Sequence, residues 1–258
     1  EAVKEIDCVI HLAAIVGDPA CAADPRTAVE VNKYSSIRLF EACKSEQVPR
    51  FIFASTCSNY GRMKNSNGFV NESSELHPIS LYAETKVAVE DVILDSPQLG
   101  FSPTLLRFAT VFGVSPRMRF DLTVNEFTAE LLTKKLLTVY GSQFWRPYVH
   151  VTDVARAVEL ILKAPAELVS NDVFNVGSTE QNYQKQGILD LILSKVPDGR
   201  VEYVHRQEDP RDYRVSFEKI RQNLGFVTNV SVERGIEEVA ALIKSGVIQD
   251  HTNAKYYN

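Results

Sequence analysis

The chain has 258 residues, 45% hydrophobic and 24% charged, the proportions of a globular protein long enough to bury a sizeable core. Lys and Arg number 28 against 33 Asp and Glu, a net charge of −5, which argues against nucleic acid as a partner because such binders carry a basic excess. No apolar run approaches the ~20 residues of a membrane span, so no membrane partner is expected, and Cys8, Cys21, Cys43 and Cys57 form no CxxC pair, which argues against a zinc ribbon or disulfide scaffold and points to a reduced, cytoplasmic protein.

Residues 8–13 (CVIHLA) are an apolar run of buried-strand length. Asp24 as N-cap and Pro25 in the first turn open a helix expected to reach about Gln47. Residues 50–55 (RFIFAS) read as the next strand. A loop of roughly 20 residues follows, with Asn65, Asn67, Gly68 and Asn71 in it, a length that is usually functional or disordered. Residues 81–95 read as a helix and 104–109 (TLLRFA) as a strand. This β-α-β-α-β alternation predicts an α/β fold with a doubly wound, mostly parallel sheet and helices on both faces.

The second half is less regular. Residues 121–135 look helical and 136–140 strand-like. Thr152 or Asp153 is expected to cap a helix reaching about Lys163, and residues 173–176 (VFNV) form a strand stopped by Gly177. Helical patterns recur near 184–195, 216–224 and 231–245. A doubly wound sheet binds ligands beyond the carboxyl ends of its strands, which directs attention to His11–Ala14, Ser55–Ser58 and Arg107–Thr110.

The pair Tyr82 and Lys86 lies four residues apart on a predicted helix and shares one face. A phenol has an ordinary pKa near 10, and a neighbouring ammonium is expected to lower it toward the range of a general base. Taken alone, the pair reads more readily as a surface Tyr/Lys contact, since such pairs are common. About 25 residues earlier a strand ends in Ser55-Thr56-Cys57-Ser58, whose hydroxyls can hold a substrate oxygen.

With these segments in place, the chain resembles the extended short-chain dehydrogenase/reductases of the nucleotide-sugar epimerase/dehydratase group. The matching stretches are Asp7 to Ala14, the Asn32 helix, Ser55-Thr56 through Tyr60-Gly61, Tyr82 to Lys86, Leu106-Arg107-Phe108 and Val111-Phe112-Gly113. Arg146 to Val151 with Asp153, Phe174 to Gly177, and Arg206 to Gly225 complete the order. The run Arg107 to Asn125 is similar to a subgroup that contains sugar 4-epimerases and GDP-heptose 4-dehydrogenases. The family's glycine-rich turn for the cofactor pyrophosphate is formed by none of the 12 glycines, so the expectation is a Rossmann-like sheet lacking its first strands.

The resemblance implies a Rossmann-type domain over 1–110 and 147–180 and a smaller α+β substrate-binding domain over 111–146 and 181–258. It implies NAD as cofactor, with NADP not excluded, a nucleotide-diphosphate sugar as substrate, and a homodimer. Catalysis would fall to Tyr82 as general base, Lys86 and Thr56. The cofactor would meet Leu12, Ala13, Ala14, Asn32, Ser55, Phe108 and Val111 besides Tyr82 and Lys86. Core packing is an equal reading for the apolar members. Ser58, Thr110, Asn125, Arg146, Arg206 and Arg211 would face the substrate, the arginines because a planar guanidinium matches phosphate; Arg211 reads equally as a surface charge. No metal site is expected, His11 and His150 read as core hydrogen-bonders, and Arg117 and Arg119 carry no assigned role. The implied activity is C4 epimerisation through a transient 4-keto sugar. Net 4-dehydrogenation and a non-catalytic sugar-binding or dimerising module are the alternatives.

Overall fold

The computed structural model describes residues 2–63, 68–96, 100–204 and 211–258. Asn65, Asn67 and Arg206 lie outside them. The first elements are β1 (Cys8–His11), α1 (Asp18–Ala23), α2 (Pro25–Val29), a π-helical turn at Glu30–Ser35 and α3 (Ser36–Ser45). β2 (Arg50–Thr56), α4 (Leu81–Asp95), β3 (Ser102–Phe108), β4 (Thr110–Phe112), α5 (Thr123–Thr133), β5 (Leu136–Tyr140) and β6 (Trp145–His150) follow. The remainder is α6 (Val151–Lys163), α7 (Ala166–Val169), β7 (Asp172–Val176), β8 (Asn182–Gln184), α8 (Lys185–Leu193), β9 (Arg200–Val204), α9 (Glu218–Leu224) and α10 (Val232–Lys244).

Four strands form a parallel sheet in the order β1-β2-β3-β7. Its side chains alternate between two cores, as the period of a strand requires. Phe51, Phe53, Leu105 and Val173 meet Phe40 and Cys43 of α3 and Val89 and Ile93 of α4. Ile52, Leu106 and Phe174 meet Ala157 and Ile161 of α6 and Ile220 of α9 on the other face. This is the expected α/β architecture, and it brings the carboxyl ends of β1, β2 and β3 to one edge.

Of the shorter strands, β5 is legible in the sequence and the others are not. β4 pairs in parallel with β6, β6 pairs antiparallel with β8, and β5 pairs in parallel with β9. They enclose a further core of Phe112, Val124, Phe127, Leu131, Tyr148, Ile188 and Ile236. No described helix is long and apolar enough to cross a membrane.

The helix expected from Asp24 to about Gln47 runs from Pro25 to Ser45, capped by Asp24 and passing through the π-helical turn. One local expectation is corrected. The helix at 151–163 is capped by His150, whose ring nitrogen accepts from the Thr152 amide, and by neither Thr152 nor Asp153. Asp153 is fully buried and accepts from the amides of Asn229 and Val230 at 3.0 Å, which ties the connection before α10 onto α6.

Candidate active site

A cavity of about 470 Å³ opens at the carboxyl edge of the sheet. Residues from the loop after β1 and from β2, α4, β3 and β4 line it together with residues from α5, β6, α8 and the segment from Arg211. The loop after β1 supplies Leu12 and Ala14, with Leu12 59% exposed. Ala13 is exposed and stands outside the lining. β2 ends in Ser55 and Thr56, both on the cavity, and the Thr56 hydroxyl accepts from the Ser58 amide at 3.1 Å. Ser58, Phe108, Thr110 and Val111 complete the adjoining wall.

α4 begins at Ser80, whose hydroxyl accepts from the Ala83 amide, and its first turns carry Tyr82 and Lys86 to the cavity. Lys86 is 1% exposed and donates to the Ala54 carbonyl at 2.8 Å. Burial lowers its pKa to about 8, against the opposing charge of Glu90. An ammonium has three donors, so after the Ala54 bond it has others to offer a ligand. The Tyr82 hydroxyl makes no hydrogen bond among the described residues. The expected lowering of its pKa by Lys86 is not met: burial raises it, and the cation that opposes the rise is Arg119. Arg119 lines the same cavity, clamped by Asp121 through two hydrogen bonds of 3.0 and 2.7 Å.

At the other side Arg146 and Arg211 line the cavity with Tyr213. The Arg146 guanidinium stacks 5.3 Å from the Tyr213 ring centroid and donates to the carbonyls of Trp145 and Arg211. Arg211 pairs with Asp18 at 3.2 Å.

Two residues expected at the ligand stand behind it. Asn32 is fully buried in the π-helical turn and outside the lining. Its amide accepts from the Ile15 N–H at 2.8 Å and donates to the Ile15 carbonyl at 2.9 Å, pinning the loop after β1. Asn125 likewise faces inward: it accepts from the Gly113 amide at 3.1 Å and donates to the Arg119 carbonyl at 3.0 Å. In both, an amide side chain that can donate and accept satisfies backbone groups that would otherwise be stranded in the interior. Ser55 reaches the cavity, but its hydroxyl is spent on Glu90.

Cys57, next to Thr56, is buried, donates to the Arg107 carbonyl, and is pushed well above the ordinary thiol range by desolvation. A thiol so placed does not supply a thiolate. Sequence reasoning missed Asp18, Asp121, Glu126, Lys185 and Tyr213 on the cavity, and it noticed Arg119 without a role. For Arg119, Asp121 and Tyr213 the signal was their place in the SPRMRFD and EDPRDY stretches; Asp18, Glu126 and Lys185 carried none. The Glu126 carboxyl is raised to about 7 by burial and by Glu130 and Asp121.

The nicotinamide end of a dinucleotide fits this donor set. Leu12, Phe108 and Val111 offer an apolar wall for a flat ring, and Lys86 offers donors beside it.

The model of the NAD dependent epimerase/dehydratase family matches residues 1–177. Over 249 residues the chain is 28% identical to the uncharacterized UDP-glucose epimerase YtcB of Bacillus subtilis (strain 168), covering 93% of this chain and 75% of that protein. The structure of UDP-glucose 4-epimerase from Thermotoga maritima with UDP-glucose superposes with a TM-score of 0.82 at 27% identity, covering 93% of this chain and 78% of that one. MoeE5 in complex with UDP-glucuronic acid and NAD gives 0.83 at 26% identity, covering 95% and 81%.

Proposed function

The chain belongs to the NAD dependent epimerase/dehydratase family, a family of NAD-dependent enzymes, and from that premise we propose that it is a nucleotide-sugar 4-epimerase working through a transient 4-keto sugar. The observation that carries this reading is the meeting of Thr56, Tyr82 and Lys86 with Arg146 and Arg211 in one cavity. One end has the groups for moving a proton at a sugar hydroxyl, and the other has cations for a diphosphate.

When bound, NAD would supply the hydride acceptor and donor for C4. The residues of this chain do the rest. Leu12, Phe108 and Val111 would flank the nicotinamide, and Lys86 would hold its ribose. The Thr56 hydroxyl donates to the reacting sugar oxygen. Tyr82 takes the proton of the C4 hydroxyl on oxidation and gives it back on reduction. To take that proton Tyr82 must first be a phenolate, its own proton released to solvent as the ligand binds; burial opposes this form, and Arg119 and Lys86 supply the positive charge that favours it. Arg146 and Arg211 hold the diphosphate, so the binding energy of the nucleotide orients the sugar.

Epimerisation returns the hydride, whereas dehydrogenation does not. With NAD and a panel of UDP-, GDP-, dTDP- and CDP-sugars, the proposal expects no accumulation of absorbance at the NADH band while sugar is converted. Steady NADH formation with release of a keto sugar would replace it with a 4-dehydrogenase. We also read the protein as a homodimer, which light scattering on the purified protein would check.

A further inference from the structure

Asp18 opens α1 directly after Gly17, whose φ of +102° is a conformation that side-chain-bearing residues rarely adopt. That turn sets the Asp18 carboxylate on the cavity, where its two oxygens have different fates. Oδ2 pairs with Arg211 at 3.2 Å. Oδ1 is buried and has no hydrogen-bond partner among the described residues. A buried acceptor without a donor is costly, and native proteins leave few of them. An acceptor on a ligand cavity can find its donor in the ligand.

The position of Asp18 narrows which part of the ligand that is. α1, which carries Asp18, packs against α4, which carries Tyr82, and both residues line the one cavity. Its ion-pair partner Arg211 stands with Arg146, which donates to the Arg211 carbonyl. Asp18 therefore sits between the proton-transfer group and the arginines, the place of the sugar in a ligand whose diphosphate the arginines hold.

We propose that Asp18 reads the sugar: Oδ1 accepts a hydrogen bond from a sugar hydroxyl while Oδ2 keeps Arg211 turned toward the diphosphate. The site thereby selects neutral sugars and rejects uronates, whose carboxylate would face a fixed negative charge. This rests on the nucleotide-sugar reading above and adds the class of sugar.

The test measures binding by calorimetry, without turnover. UDP, GDP, dTDP and CDP first identify the nucleotide, and the matching glucose and glucuronate conjugates are then titrated into wild type, Asp18→Asn and Arg211→Gln. Wild type should bind the glucose conjugate at least tenfold more tightly than the glucuronate. Asp18→Asn should shrink that ratio to threefold or less, whereas Arg211→Gln should weaken both conjugates and the free diphosphate together and preserve the ratio. Asp18→Ala repeats the comparison with the acceptor removed altogether. A ratio unchanged by Asp18→Asn and Asp18→Ala, with the diphosphate still bound, overturns the assignment of Asp18 alone. Failure of wild type to bind any of the four diphosphates overturns the nucleotide-sugar reading and this assignment with it.

Discussion

The guanidinium of Arg107 grips the carboxylate of Glu90 beneath the cavity, with Nε 3.1 Å from both oxygens and Nη2 2.6 Å from Oε2. Both side chains are nearly inaccessible to solvent. Glu90 lies one turn beyond Lys86 on α4, and Arg107 lies one residue before Phe108 at the end of β3. Ser55 and Asn59 also donate to Glu90, and Arg107 donates to the Tyr60 hydroxyl, which in turn donates to Asn175 on β7. The pair thus fastens α4 to three strands of the sheet and fixes the helix that presents Tyr82.

Breaking this pair from one side leaves the other charge buried and uncompensated. Glu90→Gln is expected to lose about 3–5 kcal/mol of stability. The double variant Glu90→Leu with Arg107→Met should lose less than the sum of the two single changes, because neither charge then remains. Urea unfolding of wild type, Glu90→Gln, Glu90→Leu, Arg107→Met and the double variant gives the comparison. A Glu90→Gln midpoint equal to wild type would show that the network does not hold the fold.

Gly113 ends β4 with a φ of +105°, and a Cβ there would meet the His150 Nε2 atom at 2.1 Å. His150 is itself fixed by Thr152 and by Glu238 at 3.0 Å. Gly113→Ala therefore combines backbone strain with a clash against a side chain held from both sides, and it should cost more than about 2 kcal/mol. Thermal denaturation of Gly113→Ala is the check.

Acid should weaken the protein through His11. Its ring is buried against Phe51 and Phe53, it shares a hydrogen with Ser36 at 2.8 Å, and burial with the charge of Lys86 lowers its pKa to about 4. The unfolded chain binds this proton near pH 6.5, so between those values the unfolded state holds more protons than the folded one. The contribution is present above pH 6.5 and is lost as pH falls toward 4, by at most about 3 kcal/mol. Stability measured from pH 7 to 4 should fall less steeply in His11→Asn than in wild type.

Lys86 reports with the same sign at the alkaline end. Its folded pKa of about 8 lies below the 10.5 of an unperturbed lysine. Below pH 8 the buried ammonium opposes folding, and the penalty is relieved as pH rises from 8 to 10.5. Relative to Lys86→Met, wild type should gain stability across that window, and the same substitution should remove activity. Equal slopes for the two proteins in urea titrations at pH 7.5 and 10 would show that the ammonium is not buried.

The sheet was readable because its signals are local. CVIHLA, RFIFAS, TLLRFA and VFNV are dense apolar runs, and the structure places β1, β2, β3 and β7 on them. β4 has three residues and β8 three, too short for any periodicity, and their pairing depends on partners distant in sequence. The Tyr82/Lys86 face followed from helical spacing alone. What sequence spacing could not carry was direction. Asn32 and Asn125 turn inward because backbone groups at Ile15 and Gly113 need partners. Asp18 faces the cavity because of one glycine turn. The phenol of Tyr82 was expected to be lowered by Lys86, but desolvation outweighs that charge and Arg119 supplies the opposing one.

The claim that Tyr82 drives C4 epimerisation is tested most directly by NMR. The protein is incubated with NAD and the panel of nucleotide sugars, and C4 configuration is followed beside a Tyr82→Phe control of equal stability and equal nucleotide affinity. The account predicts that wild type inverts C4 of at least one sugar to equilibrium and that Tyr82→Phe lowers that rate by a factor on the order of 10²–10⁴, the usual contribution of a positioned acid–base group. Inversion at the wild-type rate in Tyr82→Phe, or no inversion of any sugar by wild type, would contradict it.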